Sequence, residues 1–357
     1  MAELNGQIEA ITEKVEAGER LTFDDGVELF ERATLLELSA MANRVRWRLH
    51  SDPVVTYVIG RTVNYTNICW VQCSFCAFYR LPTSPEGYLL SKDEIFRKIE
   101  ELIELGGTEV LLQGGLNPNL KIDYYEDLFA SIKARFPIHL HALSTVEISY
   151  ISYSSKISLK ETLNRFKAAG LESIPGAGAE LLVDEVRRRV SPLKETASDW
   201  LHVMQTAHEL GIPSTATMMY GVGETLSQRV EHLMRIRELQ DHTGGFTAFI
   251  PWSYQPNGDA FGGQSGSGYG YLRTVAISRI MLDNVKHIQA AWLTMGPKIG
   301  QISLQYGVDD FGSTVLEENV VRTPVTQQLM SFEEIRRNVR DAGFVPKRRN
   351  TRYQLLE

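Results

Sequence analysis

Three cysteines stand within eight residues, at Cys69, Cys73 and Cys76, and the 357-residue chain contains no other. Spacings of three and then two intervening residues can turn three thiolates toward one centre. Thiolates are natural ligands of iron–sulfur clusters, and three of them on a cubane leave one iron without a protein ligand, open to a chelating substrate. The same residues have two other readings: a zinc knot completed by a histidine, or three unrelated buried thiols. Zinc sites usually show paired knuckles or a fourth ligand close by, and neither surrounds Cys76. The spacing therefore favours a cluster.

Rigid elements must stand behind such a loop. Residues 5–49 read as two helices, because Ile8, Ile11 and Val15 have helical spacing and Thr22 to Asp25 looks like a cap before Val27, Leu29 and Phe30. From Val54 onward, short apolar runs alternate with longer amphipathic stretches. Strands are expected over 54–63, 109–112, 138–143, 173–174, 214–219, 246–251 and 290–293, and helices over 92–105, 124–135, 160–169, 197–210, 226–240 and 271–284. Several helices stop at glycine just before the next strand, as at Gly106, Gly170 and Gly211. This rhythm predicts a parallel sheet in an α/β fold, a full or partial (β/α) TIM-type barrel. The cysteines follow the first strand, Gln113-Gly114-Gly115 the second, and Gly221-Val222-Gly223-Glu224 the fifth. All three lie at C-terminal strand ends, the face on which barrels carry their active sites.

The expected divisions are a helical extension over 1–50, the barrel core over 51–300, and a C-terminal segment over 301–357 that completes the barrel and its substrate side. Two stretches break the rhythm: the Gly/Ser-rich 258–270, read as a surface loop or lid, and 300–319, read as irregular. Residues 331–342 read as a short helix. The charged run 347–352 reads as a solvated tail packed on the barrel.

Composition narrows the class. With 43% apolar residues, 44 acidic and 37 basic side chains, and a formal charge of −7, the chain is an ordinary globular protein with no disulfide framework. An acidic balance argues against tracking nucleic-acid phosphates. The N-terminus has neither a basic flank nor an apolar h-region, and no apolar stretch approaches about 20 residues, so cytoplasmic location without a membrane span is expected.

Cys69-x-x-x-Cys73-x-Phe75-Cys76, followed by Ala77-Phe78-Tyr79-Arg80, resembles the signature of the radical S-adenosylmethionine (SAM) superfamily. The resemblance implies a [4Fe-4S] cluster on the three cysteines, with SAM chelating the open iron and yielding a 5′-deoxyadenosyl radical after one-electron reduction by a donor such as flavodoxin or ferredoxin. It implies SAM contacts at Phe75, Tyr79, Gln113, Gly114, Gly115, Gly221 and Gly223, and a ribose contact at Glu147. Asn64-Tyr65-Thr66-Asn67, Pro175-Gly176-Ala177-Gly178-Ala179-Glu180, Phe249 to Pro256, Asp310-Phe311-Gly312-Ser313 and Glu317-Glu318-Asn319-Val320-Val321 extend the likeness to the radical enzymes of the futalosine and deazaflavin routes. The cyclising members of that group fit best. For them the substrate is dehypoxanthine futalosine, on the way to menaquinone: hydrogen leaves ribose C4′, and the carbon radical adds to the benzoate ring. The rivals are adenosylating members of the same group, the related radical enzymes of deazaflavin cofactor assembly and, in another class, a zinc-stabilised binding protein without catalysis. On the cyclising reading, Trp252 and Tyr254 line an aromatic pocket, and Arg80, Gln255 and Asn319 bind the anionic end. His141 and Glu147 are the candidates to accept the aryl proton. Each aromatic has core packing, and each polar residue a structural hydrogen bond, as its competing explanation.

Overall fold

A computed structural model of the chain describes residues 2–256, 265–317, 319 and 330–356. Its strands are β1 (Val54–Val58), β2 (Gly60–Asn64), β3 (Glu109–Gln113), β4 (His139–Ala142), β5 (Ser214–Tyr220), β6 (Phe246–Ser253), β7 (His287–Ile288), β8 (Asp310–Ser313) and β9 (Val345–Arg348). They form three parallel sheets, ordered β8-β1-β9, β2-β3-β4 and β5-β6-β7. Single parallel bridges join them, His141 to Ser173, Ile174 to Ser214, and Gln289 to Asp310. Since β1 runs straight into β2, the hydrogen-bonded circuit closes: the barrel is full. Closure removes the edges of the barrel itself, and β9, paired with β1 alone, ends its sheet.

The expected single strand over 54–63 is two pieces. β1 pairs with β8 and β9, and the chain shifts at Ile59 so that β2 pairs with β3. The expected strand over 290–293 lies earlier, at β7, whose pairing to Ala248 and Phe249 sets its place, and Trp292–Met295 turns into a short helix instead. The irregular 300–319 contains β8 and the end of helix Pro297–Ser303. Helix Gly268–Met281 begins inside the expected loop, capped by the Ser267 hydroxyl, while 258–264 of that loop lie outside the described residues. Helices Thr145–Ser155 and Asp184–Val190 were not expected at all.

The N-terminal region holds three helices rather than two, Ala2–Ala17, Phe23–Arg32 and Leu35–Leu49. Thr22 and Thr34 each close a capping box, with Asp25 and Glu37 respectively, so one amphipathic stretch breaks into two helices. Arg273, buried in helix Gly268–Met281, donates to the carbonyls of Leu29 and Phe30 (3.0 and 2.6 Å), orphan acceptors at the end of helix Phe23–Arg32. That bond fastens the extension to the barrel wall.

The charged run at 347–352 is not a solvated tail. Arg349 is 3% exposed and grips Asp310 of β8 with two hydrogen bonds, 2.5 and 2.9 Å. Beyond β9 the chain turns under the barrel, with the Tyr353 ring stacked on His287 at 3.7 Å and the Arg349 guanidinium 3.9 Å over Tyr353. The C-terminal segment is the barrel's floor.

Candidate active site

The cysteines lie on the long connection between β2 and helix Lys92–Glu104, whose backbone is zipped by the residues just after β2. The Cys69 N–H donates to the Arg80 carbonyl and the Arg80 N–H to the Asn67 carbonyl, both at 2.8 Å. Asn67 donates to the Glu86 carbonyl and accepts from the Tyr88 N–H, and the Thr66 hydroxyl donates to the Tyr88 carbonyl. Ser74 is tied to the Val190 carbonyl by its N–H (3.0 Å) and its hydroxyl (2.8 Å), so the end of helix Asp184–Val190 braces the far side.

This loop suits a cluster. Burial pushes the Cys69 thiol up and, with Cys73 beside it, pushes Cys76 up to about 11. Bare thiolates are therefore disfavoured there, and a bound metal supplies the positive charge that deprotonates them. Their sulfurs already receive backbone N–H groups, from Leu116 and Val71 at Cys69 and from Tyr79 and Phe78 at Cys76. Lys194 adds a cation. Although burial opposes its charge, Glu180 at 2.5 Å and Cys73 hold its pKa above the usual lysine range, and its Nζ stands 5.5 Å from the Phe75 ring. No sequence signal marked Lys194. Its partner Glu180 lies in the Pro175–Glu180 motif and has a positive φ of 40°.

The glycine strand end packs directly against the loop. A Cβ on Gly115 would stand 2.3 Å from the Ile68 carbonyl oxygen and 2.8 Å from Cys69 Cβ, and one on Gly114 would stand 2.7 Å from the Tyr65 ring. Only glycine allows that approach. Glu147 anchors this end from behind: Oε1 accepts from the Gly114 N–H (3.0 Å) and the Tyr65 hydroxyl (2.7 Å), Oε2 from the Ser144 N–H (2.7 Å) and hydroxyl (2.8 Å). Burial raises its pKa, and these donors counter that. Both oxygens are thus committed, and Glu147 does not face the lumen. At the other glycine turn, Glu224 fills the cradle. Its carboxylate accepts from the N–H groups of Gly221 and Val222 and pairs with Arg229 at 2.6 Å, so this motif is a strand-to-helix turn with its own internal anion.

Inside the barrel lies a cavity of about 350 Å³. It runs from Arg61 and Glu109 at the strand starts to Gln113 and Trp252 at the strand ends, with Leu111, Ile250, Trp292, Leu293 and Val315 between, over a floor of Arg349 and Tyr353. His141 lines it. Burial and the nearby Arg349 hold that imidazole down to about 3, and its Nδ1 lies 2.6 Å from the Ser173 hydroxyl, so it is neutral at physiological pH.

Of the expected lining residues, His141, Gln113 and Trp252 are brought together and four are not. Arg80 is spent on its own loop, pairing with Glu86 at 2.5 Å and donating to the Ala77 and Tyr79 carbonyls. Tyr254 is buried beside β5, its N–H bonded to the Tyr220 carbonyl, and Gln255 donates to the Ser253 carbonyl. Asn319 bonds Asn64 and Glu317. Glu318 and 320–324 lie outside the described residues. Tyr79 packs with Cys69, Val71, Leu116 and Val146 beneath the cysteine loop. Trp292, Gln289 and Arg349 were missed, Trp292 because it sat in an expected strand and Arg349 because it sat in an expected tail.

A family model described as the Radical SAM superfamily matches residues 63–236, and one described as the CofH/MqnC C-terminal region matches residues 243–357. Cyclic dehypoxanthine futalosine synthase of Halalkalibacterium halodurans is 46% identical over 351 residues, covering 98% of this chain and 95% of the relative. The protein of the same name from Streptomyces coelicolor is 44% identical (98% and 89%), and aminodeoxyfutalosine synthase of Thermus thermophilus is 39% identical (96% and 94%). In fold, the chain is similar to the FeFe-hydrogenase maturase HydG from Carboxydothermus hydrogenoformans (TM-score 0.77, 19% identity, 98% of this chain and 81% of that one). It is likewise similar to methylornithine synthase (TM-score 0.75, 17% identity, 94% and 97%). The chain belongs to the radical SAM superfamily, in the branch that carries the CofH/MqnC C-terminal region.

Proposed function

We propose that this protein converts dehypoxanthine futalosine into its cyclic product in menaquinone biosynthesis, taking electrons from a flavodoxin or ferredoxin. The observation that carries the reading is the lumen inside the barrel, which reaches Gln113 at the end of β3, next to the glycines that pack on the cysteine loop, and is floored by the C-terminal segment and walled by Trp252 and Trp292. The family's cofactors, a [4Fe-4S] cluster and SAM, supply a 5′-deoxyadenosyl radical when bound. Cys69, Cys73 and Cys76 would hold the cluster, and the Gly114-Gly115 strand end, Gln113, Phe75 and Tyr79 would hold SAM.

The chain's own work is confinement. A carbon radical at ribose C4′ reacts with whatever lies in contact, so the lumen must press the benzoate ring against C4′ and exclude water. A fixed near-attack pose of this kind is worth several orders of magnitude in effective concentration. The two indoles offer flat faces for the ring. After C4′ joins the ring, the aryl proton must leave and one electron must pass to a one-electron acceptor, for which the oxidised iron–sulfur cluster would serve, to restore aromaticity. His141 lines the lumen and is unprotonated, and although burial makes it a weak base, the cationic ring left after loss of the electron is acidic enough to give it that proton.

The test is anaerobic reconstitution with iron and sulfide, followed by incubation with dehypoxanthine futalosine, SAM and a reductant, with mass analysis. Cyclic product together with free 5′-deoxyadenosine supports the proposal. Incorporation of the adenosyl group into product would instead place the protein with the adenosylating enzymes. Colourless protein with one zinc after reconstitution would remove catalysis altogether.

A further inference from the structure

At the lower wall of the lumen, two glycines leave room for three polar side chains, of which the Ser313 hydroxyl already accepts from the Val315 N–H at 3.3 Å. A Cβ built on Gly60 would stand 2.9 Å from the Ser313 hydroxyl oxygen and 3.5 Å from Glu109 Oε1. One built on Gly312, whose φ is +85°, would stand 2.7 Å from the Gln289 Nε2. Gly312 and Ser313 are consecutive on β8, Gln289 is bridged to Asp310 of the same strand, and Gly60 is paired with Glu109 across β2 and β3. The Glu109 carboxylate, the Ser313 hydroxyl and the Gln289 carboxamide therefore face one stretch of wall. All three residues line the cavity.

Their partners decide what they are for. Among the described residues, neither the Glu109 carboxylate nor the Gln289 carboxamide has a hydrogen-bond or ion-pair partner, although both are half-buried. Both cations on this part of the lining are committed: Arg349 bonds the Asp310 carboxylate through two nitrogens and also feels the Glu109 charge, and Arg61 pairs with Glu101 at 2.6 Å and Glu317 at 3.0 Å. A substrate carboxylate entering here would meet the Glu109 charge and no unmatched cation. A pair of hydroxyls would meet a two-oxygen acceptor and a carboxamide that both donates and accepts. In unrelated dinucleotide sites a carboxylate accepts from a ribose hydroxyl.

We infer that Glu109, aided by Gln289 and Ser313, binds the vicinal ribose hydroxyls of the substrate at the lower wall of the lumen and so fixes which sugar carbon faces the reacting centre. The inference rests on the proposed cyclase function. It makes Glu109 a specificity residue: the wall accepts a hydroxyl-bearing end and repels an anionic one.

The test is equilibrium binding of dehypoxanthine futalosine to the reconstituted, SAM-loaded protein without reductant, for wild type, Glu109→Gln and Gln289→Leu. The same measurement is made with an analogue lacking the ribose 2′- and 3′-hydroxyls. Loss of hydrogen bonds to a charged acceptor is expected to weaken Glu109→Gln about ten- to a hundredfold for the full substrate, with SAM affinity and iron content unchanged. The analogue should bind wild type and Glu109→Gln equally, a coupling that a merely structural Glu109 would not produce. Unchanged affinity in Glu109→Gln overturns the inference. Tighter binding also overturns it, because it places the carboxylate at this wall. Adding reductant to the wild-type samples separates the two claims: cyclic product with no Glu109 effect rejects only this inference, and substrate binding without cyclic product rejects the function.

Discussion

Glu147→Gln distinguishes a scaffold role from a catalytic one. In the wild type each carboxylate oxygen accepts two hydrogen bonds, Oε1 from Gly114 and Tyr65 and Oε2 from Ser144 twice. Glutamine keeps one acceptor oxygen and puts an amine where the other was. If the amine faces Ser144, the Ser144 hydroxyl can rotate to accept but its N–H cannot. If it faces Tyr65, the tyrosine hydroxyl can rotate but the Gly114 N–H cannot. Either way one buried N–H is orphaned and a charge-assisted bond is lost, a cost of about 2–4 kcal/mol. A protein of typical stability, about 5–15 kcal/mol, survives that. Urea unfolding should show the loss. SAM affinity should fall roughly tenfold because the Gly114 strand end loosens, while iron content stays at wild-type level. Stability within about 0.5 kcal/mol of wild type and unchanged SAM affinity would refute the reasoning. Normal SAM binding and cleavage with cyclisation alone abolished would make Glu147 the proton acceptor after all.

Other perturbations test separate parts of the account. Gly115→Ala drives a methyl group to 2.3 Å from the Ile68 carbonyl, and since backbone must move, the reconstituted variant should hold far less iron and sulfide than wild type. Cys69→Ala, Cys73→Ala and Cys76→Ala should each abolish reductive SAM cleavage, read as 5′-deoxyadenosine, and cleavage retained in any of them contradicts the ligand set. Arg349→Met leaves Asp310 buried and unpaired, so unfolding free energy should drop by about 3–5 kcal/mol, against under about 0.5 for a solvated tail. Acid should destabilise the fold early. Burial holds His208 down to about 4 and His141 and His232 down to about 3, whereas an unfolded histidine titrates near 6.5. As pH falls below about 6.5 the unfolded chain binds protons that the folded chain refuses, so stability is lost by about 2 kcal/mol per histidine at pH 5. Equal urea midpoints at pH 7 and pH 5 would contradict this.

The parts legible in the sequence are those governed by local chemistry. The cysteine loop, the glycine strand ends, the cap at Thr22 and the alternation of strand and helix all follow from neighbouring residues. β8 was illegible because its four residues are Asp310, Phe311, Gly312 and Ser313, which carry no apolar alternation. Its identity as a strand comes from pairing with β1, far away in the chain. Arg349 was misread for a related reason: a basic run is ordinarily solvated, and only Asp310, 39 residues upstream, draws this one inside. The site divides the same way. The Gly114-Gly115 strand end stands against the cysteine loop, but whether a polar side chain faces the lumen or caps its own loop depends on partners brought by the fold. Arg80 and Glu147 went to the scaffold, and His141 went to the lumen.

The most direct test of the central claim is the fate of the ribose C4′ hydrogen. Dehypoxanthine futalosine deuterated at C4′ would be incubated anaerobically with reconstituted protein, SAM and reductant, and the 5′-deoxyadenosine weighed. The account predicts one deuterium in 5′-deoxyadenosine for each cyclic product formed. Unlabelled 5′-deoxyadenosine, or product that carries the adenosyl group, would contradict it.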